Sequence, residues 1–116
     1  CGYRIEYGGK VLSICTDTEH YEGKLDEEVL ALADNADAIV YDAAYTSEEY
    51  PKFKGWGHST WEEAIKIADA ANVKNTLLFH HDPSHSDKKM DEIAEKAYSI
   101  NPSVRPAIEG EELIFL

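Results

Sequence analysis

Apolar and polar side chains alternate through Tyr3-Arg4-Ile5-Glu6-Tyr7, Gly8-Gly9 can supply the positive φ angles of a two-residue turn, and Lys10-Val11-Leu12-Ser13-Ile14-Cys15 runs back. A period of two around a Gly-Gly step predicts a β-hairpin. The period then lengthens. Leu25, Val29, Leu30 and Leu32 recur at helical spacing and predict a helix over residues 25–33. Asp37-Ala38-Ile39-Val40-Tyr41-Asp42 reads as a short buried strand ending in an acid, followed over residues 46–57 by a polar and aromatic loop containing Pro51, Gly55 and Gly57. A second helix should follow. Ser59 or Thr60 can cap it, Glu62 and Glu63 suit the positive end of its dipole, and Trp61, Ala64, Ile65, Ala68 and Ala71 form its apolar stripe. Residues 75–80 predict a strand, Ser86 or Asp87 caps a helix reaching about Tyr98, and residues 104–107 and 112–116 close the chain as strands around Gly110. The predicted order is ββαβαβαββ, an α/β fold.

Three of these strands end in polar residues, Asp17, Asp42 and His80, whose side chains could meet along one sheet edge, the place where α/β proteins collect their chemistry. A carboxylate can bridge two metals and a neutral imidazole is a preferred nitrogen ligand of zinc, so Asp17 and His80 suit a shared divalent cation. A catalytic zinc wants at least three protein ligands and a water, which leaves that pair incomplete. Four of the five histidines, His58, His80, His81 and His85, fall between positions 58 and 85. Each candidate also has a plainer role. His58 could stabilise a helix start, Asp17 and Asp42 could form Asx-turns, and His81, Asp82 and His85 could be a loop packed around Pro83. Trp56, Trp61, Tyr45 and Tyr50 could line a pocket, although such rings more often belong to a core or an interface.

At 116 residues the chain is sized for one domain with one core. Its 23 acidic against 11 basic residues give a net charge of -12, which repels nucleic-acid backbones and argues against binding to DNA or RNA. Only Cys1 and Cys15 are present, so no disulfide framework is expected and a cytoplasmic setting is the simplest. No run approaches the roughly 20 apolar residues that span a bilayer. The chain starts at Cys1, directly in strand-like sequence, and is expected to be a fragment of a longer one.

Three ordered segments carry a resemblance. Val11-Leu12-Ser13-Ile14-Cys15-Thr16-Asp17-Thr18, then Gly57-His58-Ser59-Thr60 opening an alanine-rich helix, then Leu77-Leu78-Phe79-His80 resemble the C-terminal half of the metallo-β-lactamase-fold hydrolases, in the branch of ribonuclease Z and related phosphodiesterases. The likeness covers almost the whole chain. It implies that residues 1–116 are a single partial domain, the C-terminal half of a four-layer αββα sandwich. It implies two divalent metals, zinc first with manganese or iron as alternatives, bridged by Asp17 and completed on one side by His80. It places His58 near the scissile group as a proton donor. Asp42, His81 and Asp82 become neighbours that could orient metal-bound groups. The family's His-x-His-x-Asp-His motif has no counterpart here, and Thr16 and His81-Asp82-Pro83 depart from ribonuclease Z usage, which points away from transfer-RNA processing.

The expected function is metal-dependent hydrolysis of a phosphodiester or another small anionic ester once the site is complete, with the isolated chain weak or inactive. Self-association or a missing N-terminal half should cover the exposed sheet. The alternative is a catalytically inert binding or assembly module that self-associates. A receiver-like signalling domain, suggested by the acid at the end of Ile39-Val40-Tyr41-Asp42, is disfavoured by the opening hairpin.

Overall fold

Tyr7 pairs with Lys10 across the Gly8-Gly9 turn, so β1 (Gly2–Tyr7) and β2 (Lys10–Cys15) form the expected antiparallel hairpin, with Ile5 opposite Leu12 and Tyr3 opposite Ile14. The computed structural model describes residues 2–16, 18–21, 24–79 and 85–107. Beyond the hairpin run α1 (Glu27–Ala33), β3 (Ala38–Asp42), α2 (Tyr50–Phe53), α3 (Trp61–Ala71), β4 (Thr76–Phe79), α4 (Asp87–Ile100) and β5 (Val104–Pro106). Helix starts follow the local chemistry. Asp26, Thr60 and Ser86 each accept a backbone N–H of the first turn, at α1, α3 and α4 respectively, satisfying donors that a helix cannot satisfy itself.

The described strands lie side by side in chain order, β1-β2-β3-β4-β5, the first pair antiparallel and the rest parallel. Because the order never reverses, successive right-handed crossovers place their helices on the same face of the sheet. The core agrees: Val29 and Ala33 of α1, Ile65 and Ala68 of α3, and Ile93 and Ala97 of α4 pack with Cys15, Ile39, Tyr41, Leu78 and Val104 of the strands. Burial pushes the Cys15 thiol up to about 11, which makes it a packing group rather than a reactive one.

Side chains alternate across a strand, so the intervening positions point the other way. Leu12, Ile14, Val40 and Leu77 are only half-buried there, and Ile5 and Phe79 are exposed. Among the described residues, one apolar sheet face is thus covered and the other largely uncovered.

One expectation needs adjustment. The segment 46–57 is not wholly loop: α2 occupies one turn of it, with Pro51 in the first turn, where a fixed φ helps and a missing N–H costs nothing. The strand expected over 112–116 lies outside the described residues.

Adjacent leucines on β4 test the one-sided core. Leu78→Ala should lower stability by about 2–5 kcal/mol, the usual range for a fully buried leucine. Leu77→Ala in the chain alone should cost less than half as much. Urea unfolding of both variants measures this, and equal losses would mean that the Leu77 face is covered.

Candidate active site

Strands β2, β3 and β4 are parallel neighbours, with Cys15 beside Tyr41 and Asp42 beside Phe79 at their C-terminal ends. This is the edge at which open α/β sheets hold ligands. Of the residues expected there, Asp17, His80, His81 and Asp82 lie outside the described residues. Asp42 and His58 are described, and the fold brings them together.

Asp42 is the last residue of β3 and is completely buried. A buried carboxylate is tolerated only when donors replace its water. His58 Nδ1 lies 2.8 Å from Asp42 Oδ2, the Ser59 N–H donates to Oδ1 at 3.2 Å, and the Ala44 N–H donates to Oδ1 at 3.4 Å. The Asx-type contact to Ala44 is therefore present, but it is the longest of the three. The His58 ring keeps 22% of its surface exposed. With Nδ1–H donated to the carboxylate, the neutral ring carries its lone pair on Nε2, a tautomer assigned from this contact. The helix start is capped by Thr60, not by His58, which removes the plainer role for this histidine.

The turn that presents His58 is held from behind. Gly55 and Gly57 have φ of +89° and +88°, with nothing near an added Cβ, so backbone conformation rather than space calls for glycine. Their N–H groups donate to the Glu19 carboxylate, at 2.8 Å from Gly55 and 2.9 Å from Gly57, and Tyr50 Oη donates to it at 2.6 Å. Burial alone would raise the Glu19 carboxyl, but these three bonds outweigh it and hold it below the ordinary glutamate value. Ser59 is fully buried, and its Oγ lies 2.7 Å from His20 Nδ1 and 3.4 Å from Tyr41 Oη. Burial chiefly pushes the Tyr41 phenol well above its usual range, so it acts as a neutral donor.

A second tie anchors the front of the same segment. His85 Nε2 is 2.7 Å from Glu49 Oε1, and the Thr46 N–H donates to Glu49 at 3.0 Å. His85 is thus more than loop packing. Its Nδ1 is buried without a hydrogen-bond partner among the described residues. Of the aromatic candidates, Tyr45 and Trp61 are core, Trp56 is exposed, and Tyr50 joins the Glu19 cluster.

Sequence reasoning missed Glu19, His20 and Glu49 as supports of this turn. The available signal was the Gly55-x-Gly57 pair before His58, whose amides would need an acceptor. Among the described residues, no group of three or more His, Cys, Asp or Glu side chains could hold a metal. No helix among them is long and apolar enough to cross a membrane.

A protein-family model for a beta-lactamase superfamily domain matches residues 1–81. Ribonuclease Z of Streptococcus suis is 32% identical over 105 residues, covering 90% of this chain and 32% of its own length. Ribonuclease Z of Anoxybacillus flavithermus is 27% identical over 96 residues, covering 83% and 29%. The chain therefore spans about a third of the length of these curated relatives. Among solved structures, the metallo-beta-lactamase fold protein YhfI from Bacillus subtilis superposes with a TM-score of 0.75 at 20% identity, over 93% of this chain and 40% of that one. The short form of human tRNase Z superposes at 0.64 and 21% identity, over 91% and 34%. These two likenesses carry the fold.

The Glu49 tie has a definite pH dependence. Burial raises this carboxyl, but the Thr46 N–H and His85 outweigh it, so the folded value lies below the ordinary 4.5. A depressed carboxyl stabilises the fold above its unfolded value, and the contribution is lost as pH falls through the folded value. The Thr46 amide proton, followed by NMR, should therefore shift with a midpoint below 4.5, and the transition should vanish in Glu49→Gln. A midpoint at or above that value would contradict the assignment.

Proposed function

The chain belongs to the beta-lactamase superfamily, and from that premise we propose that it supplies the proton-transferring arm of a metal-dependent hydrolase acting on a phosphodiester or another small anionic ester. The observation that carries this reading is the Asp42–His58 pair at the C-terminal sheet edge. It is supported by the ribonuclease Z relatives, which match over more than four-fifths of the chain.

Asp42 determines what His58 can do. A carboxylate on Nδ1 orients the ring, so that Nε2, when it carries a proton, can give it to the oxygen of a departing alcohol or bind the charge developing there. The Glu19 cluster keeps the turn carrying His58 in one conformation, so the imidazole need not be ordered when substrate arrives.

Asp17 and His80 would hold the metal, and their donor types suit zinc, with manganese or iron as alternatives. A bound divalent pair supplies a hydroxide nucleophile near neutral pH and Lewis-acid stabilisation of the phosphoryl oxygens. His81 and Asp82 are candidates to orient those ligands. Two donors fall short of a complete set, so residues 1–116 act as one partial domain and the remaining ligands come from upstream sequence or a second chain. The net charge of -12 favours a small anionic substrate over a long nucleic acid once local positive charge is provided. The unpaired, buried Cys15 fits a cytoplasmic setting.

A second reading has its own support. The sheet face bearing Leu12, Ile14, Val40 and Leu77, largely uncovered among the described residues, would suit an inert assembly module in which another copy lies over it.

Metal content and turnover separate the two. With its remaining ligands supplied, the site should take up two equivalents of zinc and hydrolyse bis(p-nitrophenyl) phosphate. His58→Ala should then lower kcat by about 10²–10⁴-fold, the usual contribution of a general acid, at unchanged metal content. Absence of both metal uptake and hydrolysis with zinc, manganese or iron would overturn the hydrolase reading and leave the assembly module.

A further inference from the structure

Trp56 stands on the turn that presents His58 and keeps 66% of its surface exposed. Its backbone is nevertheless held in place. The Gly55 and Gly57 N–H groups on either side donate to Glu19, and the Trp56 N–H donates to the Phe53 carbonyl at 3.0 Å, so three successive amides fix the point from which the indole projects. The ring itself meets Phe53 edge to face, with centroids 5.3 Å apart and planes at 81°.

That contact belongs to a row of rings that leads to the acid–base pair. Phe53 stacks on Tyr45 with centroids 4.5 Å apart and planes at 7°, and Tyr45 meets the His58 ring edge-on at 6.3 Å. All three spacings lie in the range that aromatic pairs favour. Tyr45 is buried and Phe53 half-buried, which leaves Trp56 as the member that offers a large aromatic surface to solvent. Cα atoms two residues apart are at most about 7 Å from each other, so the indole and the imidazole rise from neighbouring points of one turn. A flat surface ordered in advance binds a planar group at little further cost in ordering. The Trp56 and Phe53 rings carry one polar atom between them, the indole N–H, so a hydroxyl-rich group would gain little there and a flat apolar ring would gain a stacking partner.

We propose that Trp56 is a specificity-determining residue that stacks on an aromatic group carried by the departing alcohol, so that the site prefers aryl esters to alkyl or sugar esters. The departing side is selected by the neighbourhood of His58, which gives its proton to the departing oxygen. The assignment to that side rests on the hydrolase reading, whereas ring binding at Trp56 does not.

Phenol and cyclohexanol, each one six-membered ring with one hydroxyl, are titrated into the chain and followed by NMR. Phenol should shift the Trp56 indole N–H and the His58 Cε1–H along one saturation curve and bind about fivefold more tightly than cyclohexanol, the fold-change that one aromatic contact supplies. Trp56→Ala, at an exposed position whose loss should leave folding intact, should abolish the preference seen at His58. Equal affinities, a Trp56 shift without a His58 shift, or a preference kept in Trp56→Ala would overturn the proposal. With the remaining metal ligands supplied, Trp56→Ala should raise KM for methyl p-nitrophenyl phosphate about fivefold at nearly unchanged kcat, and Trp56→Phe should restore most of the loss. Weakened self-association with KM unchanged would make Trp56 an interface residue and overturn the proposal. Turnover without a preference for phenol removes the ring site and spares the hydrolase reading, whereas a preference for phenol without turnover removes the hydrolase reading and the departing-group assignment with it.

Discussion

A carboxylate sealed from water must be surrounded by donors, and Asp42 imposes that demand at the end of the central strand. The demand is met by the Ala44 and Ser59 amides and by the His58 ring, so the chain leaving β3 must return to the same edge before α3 can begin. The Glu19 cluster and the Glu49–His85 tie then act on the intervening segment from two sides. The position of His58 therefore follows from satisfying one buried charge. Removing His58 or Asp42 alone would leave the other group poorly paired, a more costly change than losing a solvated contact.

The sheet supports this arrangement by its one-directional strand order. Right-handed crossovers in constant succession put the helices and most of the buried apolar side chains on one face, and bring the ends of β2, β3 and β4 to a common edge. The same rule leaves the opposite face without a layer of its own among the described residues. The edge that carries Asp42 and the uncovered face thus have a single topological cause. A chain that matches about a third of each ribonuclease Z relative can thus hold a well-formed aspartate–histidine pair at that edge.

Much of this was legible in the residues. The Gly8-Gly9 hairpin, the Thr60 and Ser86 caps and the buried strand ending at Asp42 depend on near neighbours, and local chemistry fixes them. The resemblance singled out His58, and the fold pairs it with Asp42. The supports were not legible, because Glu19 meets Gly55 across 36 positions and His20 meets Ser59 across 39, and no local spacing encodes such encounters. The single helical turn of α2 was hidden for another reason: Pro51 reads as a loop residue unless it falls at a helix start.

Whether Asp42 governs the proton on His58 can be read directly from the imidazole nitrogens by long-range ¹H–¹⁵N correlation on the neutral ring. The wild-type chain should show the proton on Nδ1. In Asp42→Asn the amide can donate to Nδ1 instead, and the proton should move to Nε2. A wild-type ring protonated at Nε2, or one whose tautomer is unchanged by Asp42→Asn, would contradict the account.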